Sequence, residues 1–68
     1  MEKIPILSIC NAAIEASTGK PEVEVSYEVL EKLALKYGYD IFFQEEDKIT
    51  YYWLLMPHYI FYAKVKKQ

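Results

Sequence analysis

The sequence predicts a small α+β domain, with an N-terminal helix, a second amphipathic helix and then a three-stranded antiparallel β-meander. Three observations carry this. Apolar residues recur at three- and four-residue spacing up to Tyr37, as on one face of a helix. Gly19 and Gly38, the only glycines, each follow such a segment where a helix stop belongs. Beyond Gly38 the apolar period drops to two and β-forming residues dominate. All 68 residues are assigned to one domain, near the lower size limit for a core without metal or disulfide support.

The first helix is expected over residues 5–17. Pro5 suits a first helical position, where its missing N–H is no loss. Ile6, Ile9, Cys10, Ala13 and Ile14 then share a face. An extended segment over residues 4–9 is the competing reading. Gly19 and Lys20-Pro21 stop the helix. Residues 22–26 alternate polar and apolar, as in a short strand or an extended linker.

Ser26 is placed to cap a second helix over residues 27–37, with Glu28 favourably in its first turn. Leu30, Leu33, Ala34 and Tyr37 form its apolar stripe, and Glu28 and Lys32 stand at i, i+4. Residues 41–44, 49–55 and 59–65 read as strands, joined by turns at 45–48 and 56–58. Such short connections imply antiparallel neighbours.

Alternation then divides the meander into two faces. The expected inner face carries Ile41, Phe43, Ile49, Tyr51, Trp53, Leu55, Tyr59, Phe61, Ala63 and Val65. The expected outer face carries Phe42, Thr50, Tyr52, Leu54, Ile60 and Tyr62, with Asp40, Gln44 and Lys64 near its edges. Ten of the eleven aromatic residues fall between Tyr37 and Tyr62, more than one buried face accommodates. An apolar centre with a polar rim is how interfaces are built, and tyrosine and tryptophan anchor them. The residues expected to bind a partner are therefore Phe42, Tyr52, Leu54, Ile60 and Tyr62.

Charge and composition narrow the function class. Formal net charge is −2, arginine is absent, and only Lys64, Lys66 and Lys67 cluster. These facts count against a general nucleic-acid binder, which needs a basic stripe. Cys10 is the only cysteine, so a reducing, cytoplasmic setting is expected. Asn11 and Glu15 interrupt the N-terminal apolar stretch early, against a signal peptide. The uncharged block at 49–63 is shorter than the ~20 residues a membrane helix needs, and Pro57 and His58 lie inside it.

No catalytic group, metal site or cofactor site is expected. His58 has no second histidine or cysteine at metal spacing. Cys10 falls on the apolar helical stripe, where an inert thiol belongs. The acidic turn Glu45-Glu46-Asp47 lacks the spacing and loop glycine of an EF-hand. Thr18-Gly19-Lys20-Pro21 lacks the upstream glycine and the hydroxyl residue of a phosphate-binding loop.

The expectation is thus a non-catalytic protein-interaction module. It would be a small inhibitor or adaptor of the kind compact viral genomes encode, with another protein or a second copy of itself as partner. One resemblance supplies an alternative. Gly19-Lys20-Pro21, followed by Ser26-Tyr27-Glu28-Val29-Leu30-Glu31-Lys32-Leu33-Ala34-Leu35-Lys36-Tyr37-Gly38, resembles the segment after the recognition helix in Cro-type helix-turn-helix repressors. The resemblance implies a recognition helix over residues 11–17 and a regulator binding DNA as a dimer. The chain departs from that family in having too few residues for the two earlier helices, and no basic residue at 11–17.

Overall fold

The computed structural model describes residues 3–6, 15 and 17–67. Among them one helix is described along its whole length and five strands form a single mixed sheet, and Glu15 and Ser17 are helical as well. The strands are β1 (Lys3–Pro5), β2 (Glu22–Glu24), β3 (Ile41–Glu45), β4 (Ile49–Leu55) and β5 (Ile60–Lys66), and the helix is α1 (Tyr27–Tyr37). Sheet order is β1-β3-β4-β5-β2. The central three strands are antiparallel to one another, while β1 runs parallel to β3 and β2 parallel to β5. This overturns the expected fold, in which helices precede a lone three-stranded antiparallel meander. Two short parallel strands extend the meander at both edges.

Pro5 is the first correction. It does not open a helix but ends β1, opposite Phe43. An edge strand tolerates proline because only one side of its backbone must bond. The rest of the helix expected over 5–17 lies outside the described residues apart from Ile6, Glu15 and Ser17. Cys10 also lies outside them.

Helix α1 follows from local signals. The Ser26 side chain accepts a hydrogen bond from the Val29 N–H at 3.3 Å, and Gly38 closes the helix at φ +74°. The Gly38 and Tyr39 N–H groups both donate to the Ala34 carbonyl, at 2.9 and 3.0 Å. That left-handed cap reverses the chain into β3. A Cβ at Gly38 would meet nothing within 4 Å, so Gly38→Ala tests backbone conformation alone. It is expected to cost about 1 kcal/mol, read from the urea midpoint.

Leu30 and Ala34 of α1 pack on Ile41, Leu54 and Ala63 from β3, β4 and β5, and all five are fully buried. Leu33, Tyr52 and Phe61 close around them. The Lys3 ammonium lies over the Tyr27 and Tyr52 rings at 5.1 and 5.8 Å, tying β1 to the helix layer. The neighbouring Tyr27 hydroxyl holds the Lys3 pKa above its ordinary value.

The two faces of the sheet are the second correction. The Glu46 N–H donates to the Ile49 carbonyl at 2.8 Å, and the Met56 N–H to the Tyr59 carbonyl at 3.0 Å. Each hairpin therefore turns on two residues, Asp47-Lys48 and Pro57-His58. A two-residue loop pairs position i with i+3, so odd residues oppose even ones. The register follows suit, with Phe43 opposite Tyr52 and Tyr52 opposite Ala63. The helix face thus carries Ile41 and Phe43, then Thr50, Tyr52 and Leu54, then Phe61, Ala63 and Val65. Strand β4 has the opposite phase to the one expected: Tyr51, Trp53 and Leu55 face away from α1.

Candidate protein-interaction surface

The five residues expected to form one binding patch fall on both faces. Phe42, Ile60 and Tyr62 lie on the face away from α1. Tyr52 and Leu54 lie beneath the helix, where Leu54 is fully buried and Tyr52 packs on the core. Two-residue turns separate them, because positions of one parity cannot share a face across such a hairpin. Trp53, expected in the core, takes the central place opposite Phe42 and Tyr62 in a cross-strand aromatic row. Tyr51 stacks beside it, with ring centroids 5.9 Å apart and planes 20° from parallel. Phe42, Trp53 and Tyr62 are half-buried, and Ile60 is buried.

A second surface has more accessible rings. The C-terminal half of α1 projects Leu33 and Tyr37 over one flank of the sheet. There they meet Met56, Pro57 and His58 of the β4–β5 turn, together with Tyr59 and Phe61. These residues enclose an open groove of about 240 Å³. Tyr37 is 52% and Tyr59 49% exposed. The Tyr59 and Phe61 ring centroids stand 6.1 Å apart. Val23 of β2, beside Phe61 in register, continues the apolar surface toward the sheet edge and is itself exposed.

Local structure positions each wall. Leu33 and Tyr37 are four residues apart and so share a helical face. Pro57 narrows the turn's conformations, and the Lys20 ammonium donates to the Met56 carbonyl at 3.3 Å, pinning the turn from outside. The Lys36 ammonium sits 5.3 Å from the Tyr37 ring centroid and provides a charged rim. Sequence reading placed His58 in a turn, where it is. It did not bring Tyr37 and Tyr59 together, because they belong to elements twenty-two residues apart. The available signal was the excess of aromatic side chains over what one core can bury.

Chemically the groove offers apolar area, two phenol hydroxyls and one imidazole. Among the described residues no group of three or more His, Cys, Asp or Glu side chains is placed to hold a metal ion. Among the same residues no helix is long and apolar enough to cross a membrane. Of the segment resembling Cro-type repressors, residues 27–37 form a helix packed on a sheet between β2 and β3. Residues 11–14 and 16 lie outside the described residues. Comparison with protein-family models, characterised proteins and solved structures finds no match to this chain.

Proposed function

We infer that this chain is a non-catalytic protein-interaction module, an inhibitor or adaptor working in a reducing cytoplasmic setting, that takes an apolar anchor of another protein into the groove beside Tyr37 and Tyr59. The observation that carries this is two half-exposed tyrosines lining a groove together with the apolar side chains of Leu33, Met56 and Phe61. Its volume of about 240 Å³ is below the ~300–1,000 Å³ of sites that enclose small molecules. It suits one or two inserted side chains. Tyrosine supports such a role because it offers large contact area with few rotatable bonds.

Selection of a displayed random-peptide library against the protein tests this reading. Enriched peptides are expected to share one large apolar or aromatic anchor. Their affinity should fall at least tenfold, about 1.4 kcal/mol, in Tyr37→Ala with Tyr59→Ala. Both positions are exposed, so far-ultraviolet circular dichroism should remain that of the parent. Enriched peptides that bind the double variant unchanged would place the site elsewhere, as would a library that yields no binder.

A further inference from the structure

The groove beside Tyr37 and Tyr59 is apolar inside, and its rim is basic. Three elements bring a nitrogen-bearing side chain to it. Lys36 lies three residues beyond Leu33, so it borders the same flank of α1. Its ammonium stands 5.3 Å from the Tyr37 ring centroid. Lys20, just before β2, reaches the β4–β5 turn and donates to the Met56 carbonyl at 3.3 Å. An ammonium carries several donors, so that bond leaves capacity for a further acceptor. His58 lines the groove itself. Among the described residues the ion pair is Lys67 with Glu45, so no carboxylate there engages Lys20 or Lys36.

Acidic side chains are turned elsewhere. Among the described residues no carboxylate lines the groove. Glu31 turns to the other flank of α1, where it adds to the effect of the Tyr27 hydroxyl in holding the Lys3 pKa up. Glu22 and Glu24 stand in register with Ile60 and Tyr62, on the face away from α1. The acidic stretch Glu45-Glu46-Asp47 leads from β3 into β4, at the far end of β4 from the groove. A strand of seven residues separates the two turns, a span of roughly 20 Å. That exceeds the ~8 Å over which exposed charges act at physiological ionic strength.

We propose that the partner's apolar anchor is flanked by acidic residues, so that this groove selects an acidic segment. The inference rests on the groove being the binding site and names the chemistry of what enters it. The anchor fills the space between Tyr37 and Tyr59, while carboxylates beside it meet Lys36 and Lys20. His58 can donate to a carboxylate as well. Apolar contact supplies affinity, and the charges supply selection and orientation. The chain's net charge of −2 opposes such a segment at long range, but screening leaves the local rim to decide. A segment with lysines at the same places meets like charge and is rejected.

Three fluorescein-labelled peptides test it by fluorescence polarisation, each with one central tryptophan flanked by aspartate, by serine or by lysine. The parent is expected to bind the aspartate-flanked peptide about fivefold more tightly than the serine-flanked one, as exposed ion pairs would give. The lysine-flanked peptide should bind most weakly, and added salt should narrow the differences. Lys36→Glu should remain folded by circular dichroism and abolish or reverse the preference. Lys64→Glu makes the same net change on the opposite face and should keep it. Equal binding of the aspartate- and serine-flanked peptides, lost in Tyr37→Ala with Tyr59→Ala, would overturn the acidic partner and leave the groove standing. A preference that ignores salt, survives Lys36→Glu, or falls equally in Lys64→Glu would overturn it too. Peptides that bind the double tyrosine variant as well as the parent, or bind neither, would remove the groove reading along with it.

Discussion

Leu54→Ala is expected to leave most of the protein unfolded at room temperature. Alternation along the sequence assigns Leu54 to an outer binding face, yet it is fully buried beneath Leu30 and Ala34 on the central strand. Truncating a buried leucine costs about 2–5 kcal/mol, through lost transfer energy and the cavity left behind. A chain of 68 residues has total stability on the order of 3–10 kcal/mol at ~0.05–0.15 kcal/mol per residue. Strand β4 has neighbours on both sides, so the surroundings cannot easily collapse into the gap. The urea midpoint should fall by a large fraction of its parent value with little change in slope. A midpoint shift worth under about 0.5 kcal/mol, as for surface substitutions, would show that Leu54 is not in the core.

The second large effect separates two adjacent residues of β5. Ala63→Asp should abolish cooperative folding at neutral pH, whereas Lys64→Asp should leave it nearly intact. Ala63 is fully buried under α1, in contact with the cluster of Leu30, Ala34, Ile41 and Leu54. A carboxylate there has no described polar side chain in that cluster to pair with, and burying an unpaired charge costs several kcal/mol. It would also exceed the space of a methyl group where the short side chains of Ala34 and Ala63 let helix and sheet pack. Lys64 points to the other face and is exposed, so its substitution should move stability by about 0.5 kcal/mol or less. Thermal unfolding followed by circular dichroism distinguishes the two at once. Equal effects would contradict the placing of Ala63 beneath the helix and Lys64 on the opposite face.

These experiments bear on what could be read along the chain. Helix α1 was legible residue by residue: Ser26 caps it, Gly38 ends it, and Leu30 and Ala34 recur on its inner stripe. The cores of β3, β4 and β5 were legible as well, with ends displaced by one residue at Glu45, Ile60 and Lys66. Edge strand β1 was misread because three residues are too few to show a period, and because Pro5 fits a helix start as well as a strand end. Phase was misread for a different reason. Whether Tyr52 or Trp53 faces the helix depends on loops of two residues, and both residues are aromatic, so hydrophobicity does not discriminate between them.

The sequence by itself determined the helix at 27–37 with both its caps, the three β-rich segments after Gly38, the absence of arginine and the surplus of aromatic rings. Each of these is encoded in contiguous residues or in composition. Tertiary structure alone decided the parallel pairing of the edge strands, the burial of Leu54, the placing of Trp53 between Phe42 and Tyr62, and the meeting of Tyr37 with Tyr59. Parallel neighbours have no connecting turn to announce them. The facing of a whole strand reverses with one residue of register, a choice made by hydrogen-bond closure between strands and not by any residue within one.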